Sequence, residues 1–232
     1  MLYNSFSFLL FFPIVATFFF LLPHKIRQGY LLVVSYFFYM NWSPTYSLFL
    51  VFVTLVSYVG AQILQKFCES ENDKLRRVVL ASTLLLCFSG LFIFKYLNFL
   101  NDSLWGLFSL MGIRMEVPHL ELLLPVGISF YTFQACGYMI DVYRRQIMVE
   151  RNFCTYALFI SFFPQIAAGP IGRGKELLPQ FKVKHYLNRE DITTGLRWML
   201  WGYFMKVVVA DRLALYTDAV FGNIAHHTGG RY

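Results

Sequence analysis

Charge is what this chain has least of. Only 14% of its 232 residues are Asp, Glu, Lys or Arg, against about 25% in ordinary soluble domains. With 57% hydrophobic residues and a mean hydropathy of +0.53, the composition excludes a soluble globular class. It indicates an all-α, polytopic integral membrane protein. Cysteine is also scarce. Cys68, Cys87, Cys136 and Cys154 lie far apart with no C-x-x-C pair, which excludes a disulfide frame or a cysteine metal site and leaves four small buried hydrophobes. A Gly-x-Ser-x-Gly elbow is missing, because Gly127-Ile128-Ser129 runs on into Phe130 and Tyr131. GPIGRGKE (169–176) has P-loop spacing, but Glu176 replaces the metal-binding hydroxyl and Pro170 has no amide hydrogen, so nucleotide hydrolysis is excluded. The His226–His227 pair has no further ligand at metal spacing. No repeat, low-complexity stretch or flexible linker interrupts the chain, so residues 1–232 read as a single membrane domain. The net charge of +7 matters through its distribution, and no nucleic-acid partner is expected.

Apolar spans fall at 5–22, 30–42, 46–64, 78–100, 122–140, 153–169 and 192–210. A crossing needs roughly 20 apolar residues, which 46–64, 78–100 and 122–140 approach or meet. The first span carries Pro13 and lacks a basic start and a small-residue cleavage site, so it reads as a retained anchor. Placing the N-terminus outside puts Lys25, Arg27, Lys66, Lys74, Arg76, Arg77, Arg144, Arg145 and Arg151 in inner loops and leaves only Arg114 outside.

The next segment strains that scheme. A crossing at 153–169 would put Arg173, Lys175, Lys182, Lys184 and Arg189 outside. The expectation is therefore that FCTYALFISFFPQIAAGP dips in and returns, a re-entrant or broken helical element with its breaks at Pro164, Gln165, Gly169 and Pro170. Such backbone survives at membrane depth only when buried in protein or facing a cavity.

The span from 122 to 140 carries a polar stripe. Gly127, Tyr131, Gln134, Tyr138 and Asp141 follow at spacings of four, three, four and three, which puts them on one helical face. Phe130, Phe133 and Ile140 point elsewhere. Polar side chains in hydrocarbon face protein or water, so the stripe either knits helices together or lines a wet cavity, and both readings stand. Asp141 is three residues before Arg144, which suggests a local ion pair. On 192–210, Gly195, Met199, Gly202 and Lys206 share a face; Lys206 packs, snorkels outward, or meets an anionic donor.

Three blocks, LLPVGISFYTFQACGYMIDVYR (123–144), FISFFPQIAAGPIGRGKELLPQF (159–181) and GLRWMLWGYFMKVVVADRLA (195–214), resemble the membrane-bound O-acyltransferases, in the order found in the alginate O-acetyltransferase-like branch. FFYMNWSP (37–44) and FKYLNFLNDSL (94–104) are similar too. The resemblance implies transfer of an acyl group, often acetyl, from an intracellular donor such as acetyl-CoA to hydroxyls of an extracytoplasmic polysaccharide such as alginate. It implies no bound cofactor, a multi-pass place in the bacterial inner membrane among its lipids, and extracytoplasmic acetylation proteins as partners. Members of the family run to about twice this length, with the catalytic histidine in the half beyond Tyr232. His24, His119, His185, His226 and His227 match no motif with that role. The chain is therefore expected to be the N-terminal portion of a longer fold, and inactive in acyl transfer on its own. The residues expected to border the substrate path are Tyr131, Gln134, Tyr138, Asp141, Pro164, Gln165 and Lys206.

Two other classes fit the same pattern. A polymer or lipid-carrier flippase would use helix breaks at Pro125 and Pro164, although related halves are not visible in the sequence. A non-catalytic scaffold would recruit a soluble transferase.

Overall fold

The computed structural model describes residues 3–42, 44–69, 73–110, 127–167 and 169–222. Pro125 and the His226–His227 pair lie outside them. Among the described residues all regular structure is helical: α1 (Phe6–Leu21), α2 (His24–Met40), α3 (Pro44–Glu69), α4 (Asp73–Leu110), α5 (Ile128–Tyr143), α6 (Phe153–Ser161), α7 (Phe163–Ile166), α8 (Gly174–Lys182), α9 (Arg189–Tyr203), a π-helical turn (Phe204–Ala210) and α10 (Asp211–Gly222). The all-α expectation holds, and so does the break in the 153–169 element. The helix predicted from 30 in fact begins at His24. Pro23, extended at φ −62° and ψ 143°, ends one helix and pre-shapes the next, and Arg27 turns back to give its Nε hydrogen to the Leu22 carbonyl at 2.9 Å.

The chain divides into two compact units. One joins Met1–Leu21 to His185–Tyr232; in it the Tyr203 hydroxyl donates to the Tyr3 carbonyl, tying the start of α1 to the end of α9. The other is Leu22–Lys184. Its centre is the trio α3, α4 and α5, with α6 laid against α2, α3 and α5, and α8 resting on α6 and α5. Small residues set the α3–α4 spacing. A side chain on Gly60 would strike Thr83, and one on Gly90 would strike Phe49, so the two glycines permit the close helix approach that membrane packing relies on.

Besides its apolar core, this unit buries polar side chains and turns large apolar ones outward. Ser35, Thr54, Ser57, Thr132, Gln134, Thr155 and Ser161 are all buried, while Val33, Leu48, Val78 and Leu85 are at least 63% exposed. Such an arrangement is stable where the surroundings are hydrocarbon. Pro44–Phe67 and Asp73–Phe94 are long and apolar enough to cross, with mean hydropathies of 2.0 and 2.1. Composition, burial and these two helices together make this a membrane protein.

Hydrogen bonds collect the basic connections of the unit at one end. Arg76 donates to the Tyr143 carbonyl, Gln62 to the Glu150 carbonyl at 2.8 Å, and Gln28 to the Phe181 carbonyl at 2.8 Å. Lys182 meets the Glu150 carboxylate at 2.5 Å. Residues 150 and 182 flank the broken element, so the chain leaves that end at Asn152 and comes back to it by α8. In a background without native cysteines, single cysteines replacing Arg144 and Lys184 are expected to react with a membrane-impermeant thiol reagent from the same side. Labelling from opposite sides would contradict the returning hairpin.

Candidate functional site

The hairpin is built where a helix fails. In an unbroken α6 the Phe163 amide would bond the Phe159 carbonyl. Phe162, at φ −53° and ψ 108°, is not helical, and Pro164 supplies no N–H for the following turn. The separated groups find new partners. The Phe163 amide donates to Ser35 Oγ of α2 at 3.2 Å, and the Phe159 carbonyl accepts from Gln134 Nε2 of α5 at 2.8 Å. Two neighbouring helices thus take over one lost backbone hydrogen bond. At the start of α6, Asn152 caps the helix by accepting from the amides of Cys154 at 2.9 Å and Thr155 at 3.4 Å. Near its middle, the Tyr156 hydroxyl donates to Ser57 of α3 at 2.8 Å.

The polar stripe faces this element. Tyr131, Gln134 and Tyr138 are buried, Phe130 and Phe133 are exposed, and Asp141 is partly open. Gly127 starts α5 at φ +75°, with the Ile166 carbonyl where a side chain would stand; only glycine fits there without strain. Lower on the stripe, the Tyr138 hydroxyl accepts from the Glu150 amide at 2.8 Å. Glu150 is a hub: one carboxylate oxygen accepts from the Asn152 amide at 3.0 Å and the other meets Lys182. Gly172 and Gly174 let the returning chain press on α5. A side chain on Gly172 would stand 2.9 Å from Gln165 Oε1 and 3.4 Å from Gln134 Nε2, and one on Gly174 2.9 Å from the Tyr138 ring.

Between the end of α5 and this returning chain lies a cleft of about 510 Å³, bordered by Gln134, Tyr138, Asp141, Arg144, Gly172 and Arg173 among others. Next to it, a second cavity of about 540 Å³ shares Asp141, Gln146 and Arg173 and adds Lys175 and Glu176. A mainly apolar groove of about 670 Å³ in the other unit, between α1 and α9, is bordered by Phe8, Phe12 and Phe19, with His185 and Asp191 also on its lining.

The sequence-predicted residues therefore separate into groups. Gln134, Tyr138 and Asp141 border the cleft. Gln165 approaches it behind Gly172, its buried Oε1 without a hydrogen-bond partner. Tyr131 lies deeper, edge-on to Tyr39 with centroids 6.2 Å apart. Pro164 supplies the break itself. Lys206 belongs to the other unit, on its π-helical turn, and pairs with Asp211 at 2.6 Å. Asp141 and Arg144 form no ion pair among the described residues. Arg144 ends α5 still in helical backbone conformation, and its side chain borders the cleft beside Asp141 without pairing with it.

Ser35, Ser57, Glu150 and Arg173 were not singled out from the sequence. Only the polar run Glu150–Asn152 before an apolar segment carried a signal, that of a helix cap. Of the cysteines expected to be buried, Cys87 and Cys136 are, whereas Cys154 is exposed. Among the described residues no cluster of His, Cys, Asp or Glu could hold a metal ion.

Compared with known proteins, the chain is 34% identical over 223 residues to the probable alginate O-acetylase AlgI of Pseudomonas aeruginosa, covering 95% of this chain and 42% of that protein. It is 35% identical over 225 residues to the protein of the same name from Azotobacter vinelandii, covering 95% and 44%. To the peptidoglycan O-acetyltransferase of Helicobacter pylori it is 34% identical over 218 residues, covering 83% and 40%. The chain thus spans less than half the length of these relatives. No family model matches it, and no solved structure does.

Glu150→Gln keeps the shape of the hub and removes its charge. It is expected to lower the stability of the detergent-solubilised chain by about 2 kcal/mol, read as a downward shift of its thermal transition. Lys182→Met is expected to cost less, because that partner is 55% exposed.

Proposed function

We propose that this chain, which resembles the bacterial O-acetyltransferase relatives along nearly its whole length, forms one wall of a multi-pass inner-membrane O-acyltransferase. In that reading the complete protein transfers an acetyl group from an intracellular thioester donor, acetyl-CoA or an acylated carrier, to hydroxyls of an extracytoplasmic polysaccharide. Alginate and peptidoglycan are the acceptor polymers in the relatives' names. The observation that carries the chemistry is identity of about one residue in three over 95% of the chain with proteins of that activity. Membrane lipid surrounds the protein, and extracytoplasmic acetylation proteins are its proposed partners.

The reaction asks for a general base, a polarised carbonyl and exclusion of water. A histidine from the additional length of the relatives takes the proton of the sugar hydroxyl as its oxygen attacks the thioester carbonyl. The C–O ester bond forms, the C–S bond breaks, and the proton passes to the departing thiolate. The residues of this chain bind and orient. Tyr138 and Gln134 border the cleft while tied to Glu150 and Phe159, so they present fixed polar atoms at no cost of reorganisation. Gln165 differs, since its buried carboxamide oxygen has no hydrogen-bond partner among the described residues. A buried acceptor left unmade costs stability, which makes Gln165 the residue here best suited to receive a hydrogen bond from substrate. The surrounding aromatics, Tyr156 and Phe159 among them, keep the hairpin dry and limit hydrolysis of the donor.

Gln165→Leu separates this role from packing, because it removes no hydrogen bond made within the fold. In a protein extended to the length of the relatives, it is expected to lower acyl transfer about tenfold at normal protein level, the equivalent of one hydrogen bond. Gln134→Leu is expected to lower both activity and protein level, because it uncovers the Phe159 carbonyl. Unchanged acylation in both variants would mean that the two side chains only pack.

A further inference from the structure

We propose that the cleft between the end of α5 and the start of α8 binds the phosphate groups of a phosphate-ester ligand through Arg144, Arg173 and Lys175. The proposal deepens the acyl-transfer reading by placing the anionic end of the donor, but the anion site follows from geometry alone. Arg144 and Arg173 border one cavity, and Arg173 and Lys175 the next, with Asp141, Gln146 and Arg173 common to both. Among the described residues none of these three cations has an ion-pair partner, although Asp141 and Glu176 border the same space. Their charge is therefore uncommitted. With two carboxylates among three cations the local field is weak, so recognition depends on the arginine forks rather than on bulk positive potential. Guanidinium forks match phosphate oxygens two at a time.

The backbone places these groups. After α5 the amides of Arg144, Arg145 and Gln146 bond back to the carbonyls of Ile140, Val142 and Asp141 at 2.9, 3.0 and 2.9 Å. This closes the helix through the left-handed Arg145. Opposite, Gly172 and Gly174 hold residues 172–174 against Gln165 and Tyr138, bringing Arg173 to the same space. Arg173 is also the cap residue of α8 and provides no side-chain cap; its carbonyl takes the Glu176 and Leu177 amides, which leaves those of Gly174 and Lys175 to add to anion binding. The buried Gln165 Oε1 stands behind Gly172, outside the cleft lining and without a hydrogen-bond partner among the described residues.

The test uses the purified chain in detergent with three probes: inorganic pyrophosphate, coenzyme A, and vesicles of phosphatidylglycerol. Coenzyme A and pyrophosphate are expected to bind with an affinity that falls as salt rises. Arg144→Gln and Arg173→Gln are each expected to raise the dissociation constant about tenfold or more, and Lys175→Gln several-fold. Arg77→Gln, an exposed cation at the same end but outside the cleft, is the charge control and is expected to leave binding unchanged. Thermal transitions identify any variant that fails to fold; Lys175 is exposed, so its variant keeps the test decisive. Equal weakening by Arg77→Gln, no binding of either soluble probe, or binding to vesicles alone would overturn the proposal. Soluble-probe binding lost in Arg173→Gln, together with no acyl transfer by the protein extended to the length of the relatives, would retain the anion site and remove the acyl-transfer role.

Discussion

The structure depends on how a peptide chain can stop being helical in the absence of water. In hydrocarbon every backbone N–H and C=O needs a partner within the protein, and the break at Phe162–Pro164 releases a donor and an acceptor together. Ser35 takes the Phe163 amide and Gln134 the Phe159 carbonyl. These two side chains come from helices on different parts of the sequence, so the break exists only because α2 and α5 are already beside it. The arrangement explains why α6 is the most completely enclosed helix of its unit, with Thr155 through Ser161 all buried.

A second constraint holds the mouth of the hairpin. Glu150 receives the Asn152 amide and Lys182 on its carboxylate, gives its own amide to Tyr138, and accepts Gln62 on its carbonyl. Each bond is worth only about 1 kcal/mol net. Together they fix α8 relative to α5, and the cleft between them owes its width to that attachment. Gly127, Gly172 and Gly174 work in the same direction, because each allows backbone to lie where a side chain would otherwise hold it away.

Function and packing are therefore not separate properties of the stripe on α5. Gln134 repairs the broken helix and also borders the cleft; Tyr138 anchors Glu150 and also borders the cleft. Gln165, a few residues past the break, has no such structural employment on its carboxamide oxygen. A site assembled in this way is pre-organised by its own folding requirements, and its polar atoms move little when a substrate arrives.

Much of this was readable before any coordinates. Low charge and long apolar spans defined a helical membrane protein, because only internally satisfied backbone spans a bilayer. The 4–3–4–3 spacing from Gly127 to Asp141 placed the stripe inward, since helical periodicity is a local property. The five basic residues from Arg173 to Arg189 argued for a returning hairpin, a consequence of charge distribution alone. What the chain could not reveal by itself were contacts between distant residues: Ser35 with Phe163, Ser57 with Tyr156, and Glu150 with Lys182. Periodicity and composition report which face of a helix is polar, but not which helix stands opposite. The missing Asp141–Arg144 pair shows the same limit at short range, because helical spacing brings two side chains within reach without fixing where each points. Sequence decided what each segment is, and packing decided which of its polar atoms are occupied and which remain for a ligand.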